Sequence, residues 1–351
     1  MGFKTLSQKR KEFLMNVLAM TVIVALIFII FLEINALSSE NYKGSLEPTG
    51  NILFTEEAGE TPTEEPTPTP TEEPYFIINE SGSTIEERFN PPKGYERVET
   101  EKGSFGEFLR TYPLKDYGEK ALLFSGAYND DAATLGVLRQ TYEISQNQQC
   151  ADTAIMLYGE YLYTNGRFSE IVFNFSSGFK CDFLSWAEGK RPVVNGRNVT
   201  WTDKTGTDGV KANDYSAENF VAYLKKVYEY ANTDSLVMQY SKKSFDSLAP
   251  GDIFVATASE LRKQAESISE DAVNSVSYGH AVIVADVAVN EAGEKVFLLI
   301  EGTTPATECA VVEAPDEDMV CWFRLSSDGT FVKNKKTGIK WKNTWLYSFE
   351  N

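Results

Sequence analysis

The chain has 351 residues, of which 42% are hydrophobic and 13% aromatic, and it carries a formal net charge of −18. That acidity excludes a phosphate-binding face as its main business, so nucleic acid is not an expected partner. One histidine and four cysteines exclude a multi-histidine metal centre and a disulfide-built scaffold. No metal or cofactor is expected, and any imidazole chemistry falls to His280.

In chain order, residues 1–12 form a short basic tail with Lys4, Lys9, Arg10 and Lys11, read as cytoplasmic. Phe13 to Leu32 follows as twenty residues without a charge, which at about 1.5 Å rise per residue spans the roughly 30 Å hydrocarbon layer. This predicts a transmembrane helix kept as an anchor. A cleaved signal peptide is the other reading, with Ala36-Leu37-Ser38 as a tolerable cleavage site, but its apolar part usually runs only about 7–15 residues. Basic residues before the helix and acidic ones after it set the N-terminus inside and everything later outside, which makes this a single-pass cell-membrane chain. Residues 33–74 contain TPTEEPTPTPTEEP, a Pro, Thr and Glu mixture with little to bury, and read as an extracytoplasmic linker. Extended at about 3.1 Å per residue, such a linker reaches on the order of 100 Å, the depth of a cell-wall layer. A plain flexible tether is the alternative.

Residues 75–351 read as one globular α+β domain. Lys120 to Ser125, Leu135 to Arg139 and Ile171 to Phe175 have the pattern of strands, and Cys150 to Thr164 that of a helix. Phe220, Leu224, Val227 and Tyr228 mark one face of a helix that Ser216 caps, with a shorter helix over Ser235 to Tyr240. Asp252 to Ala256, Ala281 to Val289, Val296 to Glu301, Cys309 to Val312 and Cys321 to Leu325 then give mostly consecutive strands, the mark of an antiparallel sheet.

Cys150 lies in QQCADTAIMLYGEYLY, on the first turn of its predicted helix. There the helix dipole and unpaired N–H groups stabilise a thiolate, although a free cysteine is more often a small buried hydrophobe. His280 opens a strand in GHAVIVADVAV, after PGDIFV. If Asn290 to Gly293 is the turn between two strands, His280 falls opposite Thr303 and diagonal to Glu301 on the same face. Glu301 is then placed to orient the imidazole, while a slip of one residue would move it to the other face. The backbone N–H of Cys150 with a side-chain amide from Gln149, or from Gln148, would serve an oxyanion.

A cysteine at a helix start followed by a histidine at the head of a strand resembles the papain-like fold of cell-wall peptidases and amidases. The chain also resembles the exported bacterial family called domain of unknown function 4846. The blocks GSFGEFLRTYPL, QQCADTAIMLYGEYLY, IVFNFSSGFKCDFLSWAEGKRP, YLKKVYEYANTDSL, PGDIFV, GHAVIVADVA and FLLIEGTTPAT carry that likeness, from about Gly103 to Trp322. Two departures stand out. Glu301 occupies a place where Gln is expected, and Thr257 to Ser277 looks inserted just ahead of the histidine, its run of helix formers predicting a short lid helix over the site.

These readings imply a membrane-anchored cysteine hydrolase, a peptidase or amidase, acting on cell-wall peptide or a surface protein. Cys150 is its nucleophile, His280 its base, Glu301 its orienter and Gln149 an oxyanion donor. The alternative is a catalytically silent papain-like domain that binds wall polymer or a surface partner. Folding the acidic loop Glu313 to Asp318 as a hairpin sets Cys309 opposite Cys321, so a disulfide between them is expected, with Cys150 and Cys181 free.

Overall fold

A computed structural model describes residues 75–130, 134–333 and 339–349. The expected anchor Phe13–Leu32, the tail before it and the linker 33–74 lie outside the described residues. Among those described, no helix is long and apolar enough to cross a membrane.

The chain begins with α1 (Ile85–Arg88), β1 (Tyr95–Arg97) and α2 (Phe105–Arg110). Thr84 and Ser104 cap the two helices, each side chain accepting from an N–H that the helix cannot satisfy itself. Lys120 to Ser125 does not form the expected strand. A tight turn in which Gly126 N–H donates to Leu123 C=O ends it, leaving isolated pairings of Leu122 with Tyr128 and Leu123 with Thr307. After β2 (Thr134–Val137) comes α3 (Cys150–Thr164), buried nearly all round from Cys150 to Leu162. A helix apolar on every side belongs inside the domain rather than on its surface.

Around α3 are wrapped β3 (Val172–Asn174), β4 (Lys180–Asp182), α4 (Phe183–Ala187), the hairpin β5 (Lys190–Asn195) and β6 (Asn198–Asp203), and α5 (Ala217–Tyr228). Ser216 caps α5, and Phe220, Leu224, Val227 and Tyr228 form its buried face as the spacing predicts. The next helix, α6 (Thr233–Gln239), starts earlier than expected because Asn232 caps it in a reciprocal pair with Ser235. Then follow β7 (Ser241–Lys242), β8 (Ile253–Ala256), α7 (Ala258–Ala265), α8 (Glu270–Ser275), β9 (His280–Asn290) and β10 (Lys295–Glu301). The last strands are β11 (Ala310–Val312), β12 (Trp322–Arg324), β13 (Thr330–Val332), β14 (Lys340–Lys342) and β15 (Leu346–Ser348).

Nine of the described strands make one antiparallel sheet in the order β2-β11-β10-β9-β8-β15-β7, with β1 also on β9 and β12 also on β10. The fold is therefore a mixed α and β domain built on antiparallel pairing. The long hairpin β9–β10 is its centre, and each outer edge of that hairpin is filled by two short strands placed end to end. One face carries α3 and a large core with Ala281, Ile283, Leu298 and Ile300; the other carries Val282, Val284, Phe297 and Leu299 beneath Phe331, Trp341 and Trp345. Burying both faces explains why β9 reads as a nearly continuous apolar run.

The expected Cys309–Cys321 bridge is not formed, and all four cysteines are free and buried. The two flanking strands do not pair with each other. Both lie along the same edge of β10, β11 against Ile300 and Glu301 and β12 against Val296 to Leu298. The acidic loop is thus a link between collinear strands, and a cross-strand disulfide has no hairpin to span.

Candidate active site

Sequence and fold meet where β9 begins. Cys150 starts α3, with Gln149 as its N-cap, and Asp152 reaches back to accept the Gln149 backbone N–H at 3.0 Å. The helix therefore starts at the cysteine, with its first N–H groups and positive dipole end beside the sulfur. His280 heads β9, and its Nε2 lies 2.9 Å from Glu301 Oε2 at the end of β10. The thiol donates to Gly279 C=O at 3.9 Å, and the His280 imidazole is near enough to act on its charge. With Nε2 turned to Glu301, Nδ1 is the ring nitrogen left for the sulfur. Cys150, His280 and Glu301 thus form one row.

Glycines flank both strand residues. A Cβ on Gly279 would stand 2.7 Å from Ala256 C=O and 2.2 Å from Thr233 Oγ1, and one on Gly302 would stand 2.3 Å from Thr153 Oγ1. The backbone beside His280 approaches the end of β8 and the start of α7 too closely for any side chain, whereas beside Glu301 only the Thr153 hydroxyl stands in the way. On its other side the imidazole meets Trp341 edge-on, ring centroids 5.7 Å apart.

The charges follow from these contacts. Burial pushes the Cys150 thiol up, but the His280 charge and hydrogen bond, with N–H groups of Ala281 and Ala151, outweigh it and hold the thiol below its ordinary value. For His280, burial and Lys333 push down, yet Cys150 and the Glu301 hydrogen bond raise it to about 9. Glu301 is pushed up by burial and pulled down more strongly by Lys333 and His280, to about 2. Both shifts favour a thiolate beside an imidazolium. Asp152 is different: burial, with Cys150 adding to it against the Gln149 N–H, lifts its carboxyl well above the usual range.

Cys150 and Gln149 open on a pocket of about 250 Å³ whose walls also include Thr233, Tyr278 and Thr304; His280 and Glu301 lie outside that lining. Gln149 Oε1 accepts from Thr304 Oγ1 at 3.1 Å, which leaves its Nε2 as the donor end. Gln148, the other amide considered, is fully buried and turned to Met156 and Cys309. Three larger pockets, of about 560, 630 and 380 Å³, lie elsewhere and contain neither Cys150 nor His280.

The segment Thr257 to Ser277 forms two helices, α7 and α8, instead of one. Ala258 and Ser277, at its ends, touch the pocket. The body of α7 is fastened elsewhere, by Leu261 and Ala265 in the second core and by Gln264, whose amide exchanges two hydrogen bonds with the Lys340 backbone.

Lys333 was not legible in the sequence. It follows β13 and pairs with Glu301 Oε2, the same oxygen that meets His280. A lone lysine after a short strand carries no signal of such a role, and only the tertiary fold brings it to the site.

Comparison with curated proteins and with solved structures finds no match. Residues 85–338 do match the family model described as Domain of unknown function (4846), and since that span is most of the chain, the protein belongs to this family.

Proposed function

We propose that this chain is a papain-like cysteine hydrolase, a peptidase or amidase. The observation that supports the reading is the row of side chains: a thiol on the first turn of a buried helix, lowered by the chain's one imidazole beside it, which meets a carboxylate through Nε2. In this reading the Cys150 thiolate attacks an amide carbonyl, and the Cys150 N–H and Gln149 Nε2 receive the oxyanion. The His280 imidazolium then gives its proton to the departing amine. The resulting thioester is cleaved by water, from which His280 takes a proton, returning the free thiol and releasing a carboxylic acid.

The remaining expectations belong to the same proposal. Phe13–Leu32 anchors the chain, residues 33–74 space the domain outward, and the substrate is cell-wall peptide or a surface protein within reach. Protease treatment of intact cells, with recovery of a protected N-terminal fragment, tests the topology.

A thiol-directed activity probe tests the chemistry. Labelling of Cys150 in the native chain, lost in Cys150→Ala and strongly reduced in His280→Ala, is the expected result. Absence of labelling at neutral pH would remove the enzyme reading in favour of the catalytically silent binding domain, a reading to which the near-complete enclosure of Cys150, 6% exposed, gives its support.

A further inference from the structure

A nucleophile, base and orienter need no lysine, yet Lys333 stands against the orienter. Its side chain is 20% exposed, that of Glu301 12%, and the contact is to the oxygen already shared with His280. Lys333 is thus held into the site. The groups facing His280 are the Cys150 thiol from α3, Glu301 from β10, Lys333 after β13 and the Trp341 ring from β14.

Without Lys333, the imidazolium would sit between two anions, the thiolate and the Glu301 carboxylate. A base held that strongly is a poor acid, because it must surrender its proton to the departing amine. An uncharged amide in place of the carboxylate would avoid this. We propose that Lys333 is a positioning residue of this site, cancelling the charge of Glu301 so that a carboxylate orients His280 as a neutral amide would. The catalytic meaning rests on the nucleophile reading of Cys150; the electrostatic claim does not.

The chain's single histidine makes the test direct. The imidazole of His280 is followed by NMR through a pH titration in the full-length chain and in Lys333→Met, Lys333→Arg, Glu301→Gln and the double variant Glu301→Gln/Lys333→Met. Lys333→Met should raise the His280 titration by about one unit or more, since an uncompensated carboxylate then adjoins the ring. Glu301→Gln should lower it. The double variant should return to within about half a unit of the wild type, and Lys333→Arg should stay equally close. An unmoved titration in Lys333→Met, or a double variant further from the wild type than either single change, would overturn the proposal. A merely structural lysine would not give the compensating pattern. Loss of Cys150 labelling in the wild type would remove the enzyme reading and leave this cycle readable.

Discussion

Glu301 reaches His280 because β9 carries one residue more than β10 between the hairpin turn and the site. Near the turn Lys295 faces Val289 and Leu298 faces Asp286; beyond an irregularity Leu299 faces Val284 and Ile300 faces Ile283. Had the first register continued, Glu301 would have faced Ile283 and pointed away from His280. The two cores record the same change of phase. Ala281, Ile283 and Ala285 share one face with Ala288, whereas Val282 and Val284 share the other with Val287.

Asp286 sits at that change of phase and is fully buried. Arg97 Nε approaches one of its oxygens at 2.6 Å and Arg110 Nε the other at 2.7 Å. Neutralising it leaves two guanidinium groups without their counter-ion, so Asp286→Ala should cost about 3–5 kcal/mol, read as a fall in the urea midpoint. A cost within experimental error would show that the bulge holds itself and that the two arginines are satisfied elsewhere.

The four cysteines should separate cleanly in their reactivity. Burial pushes Cys309 up to about 12 and raises Cys181 and Cys321 further, whereas Cys150 alone is lowered. Alkylation of the native chain at pH 7 should therefore modify one thiol of the four, at Cys150, and peptide mapping without reduction should find no disulfide. In His280→Ala the burial of Cys150 is no longer opposed by the imidazole, so the midpoint of its alkylation rate should move up. Equal labelling of two or more thiols would contradict this ordering.

If the chain is the hydrolase proposed above, its turnover is bell-shaped in pH. Its rising limb follows the lowered thiol and its falling limb lies near pH 9, where His280 loses the proton it must donate. Glu301 adds a separate effect on stability. Its folded value of about 2 lies below its ordinary 4.5, so the contribution is present above about pH 4.5 and fades as pH falls toward 2. The stability difference between wild type and Glu301→Gln should therefore shrink on acidification over that range. A difference that grew instead would mean that Glu301 is not held as a carboxylate.

Period and capping residues made the centre of the fold readable. The extent of α3, the buried face of α5, the β9–β10 hairpin and the positions of Cys150 and His280 all follow from local pattern. The diagonal from His280 to Glu301 was readable only at the site end of the hairpin, because an extra residue inside a strand buried on both faces breaks no apolar–polar alternation. Cys309 and Cys321 misled for a related reason: two strands joined by a short loop suggest a hairpin, and nothing local says that both pair with a third strand. Lys333 was beyond reach altogether, its partner lying 32 positions away across the fold.

Gly279 provides the sharpest link between packing and the site. It does not have a positive φ, so its requirement is space alone. Thr233 Oγ1 can rotate away from an added Cβ, but Ala256 C=O at 2.7 Å and Ala258 N at 3.0 Å are backbone and must move. Gly279→Ala should therefore cost about 1–3 kcal/mol and push the start of β9 away from α7. Because Cys150 Sγ is also 3.9 Å from the Gly279 carbonyl, the same shift loosens the contact between thiol and imidazole. Gly293→Ala is the matched control. Its φ of +80 strains any other residue, but an added Cβ there meets nothing, and it lies in the turn at the far end of the hairpin. Both variants should lose stability, and only Gly279→Ala should slow alkylation of Cys150 at a temperature where both remain folded. Equal slowing in the two would mean that reactivity follows global stability and not the fit of the backbone around His280.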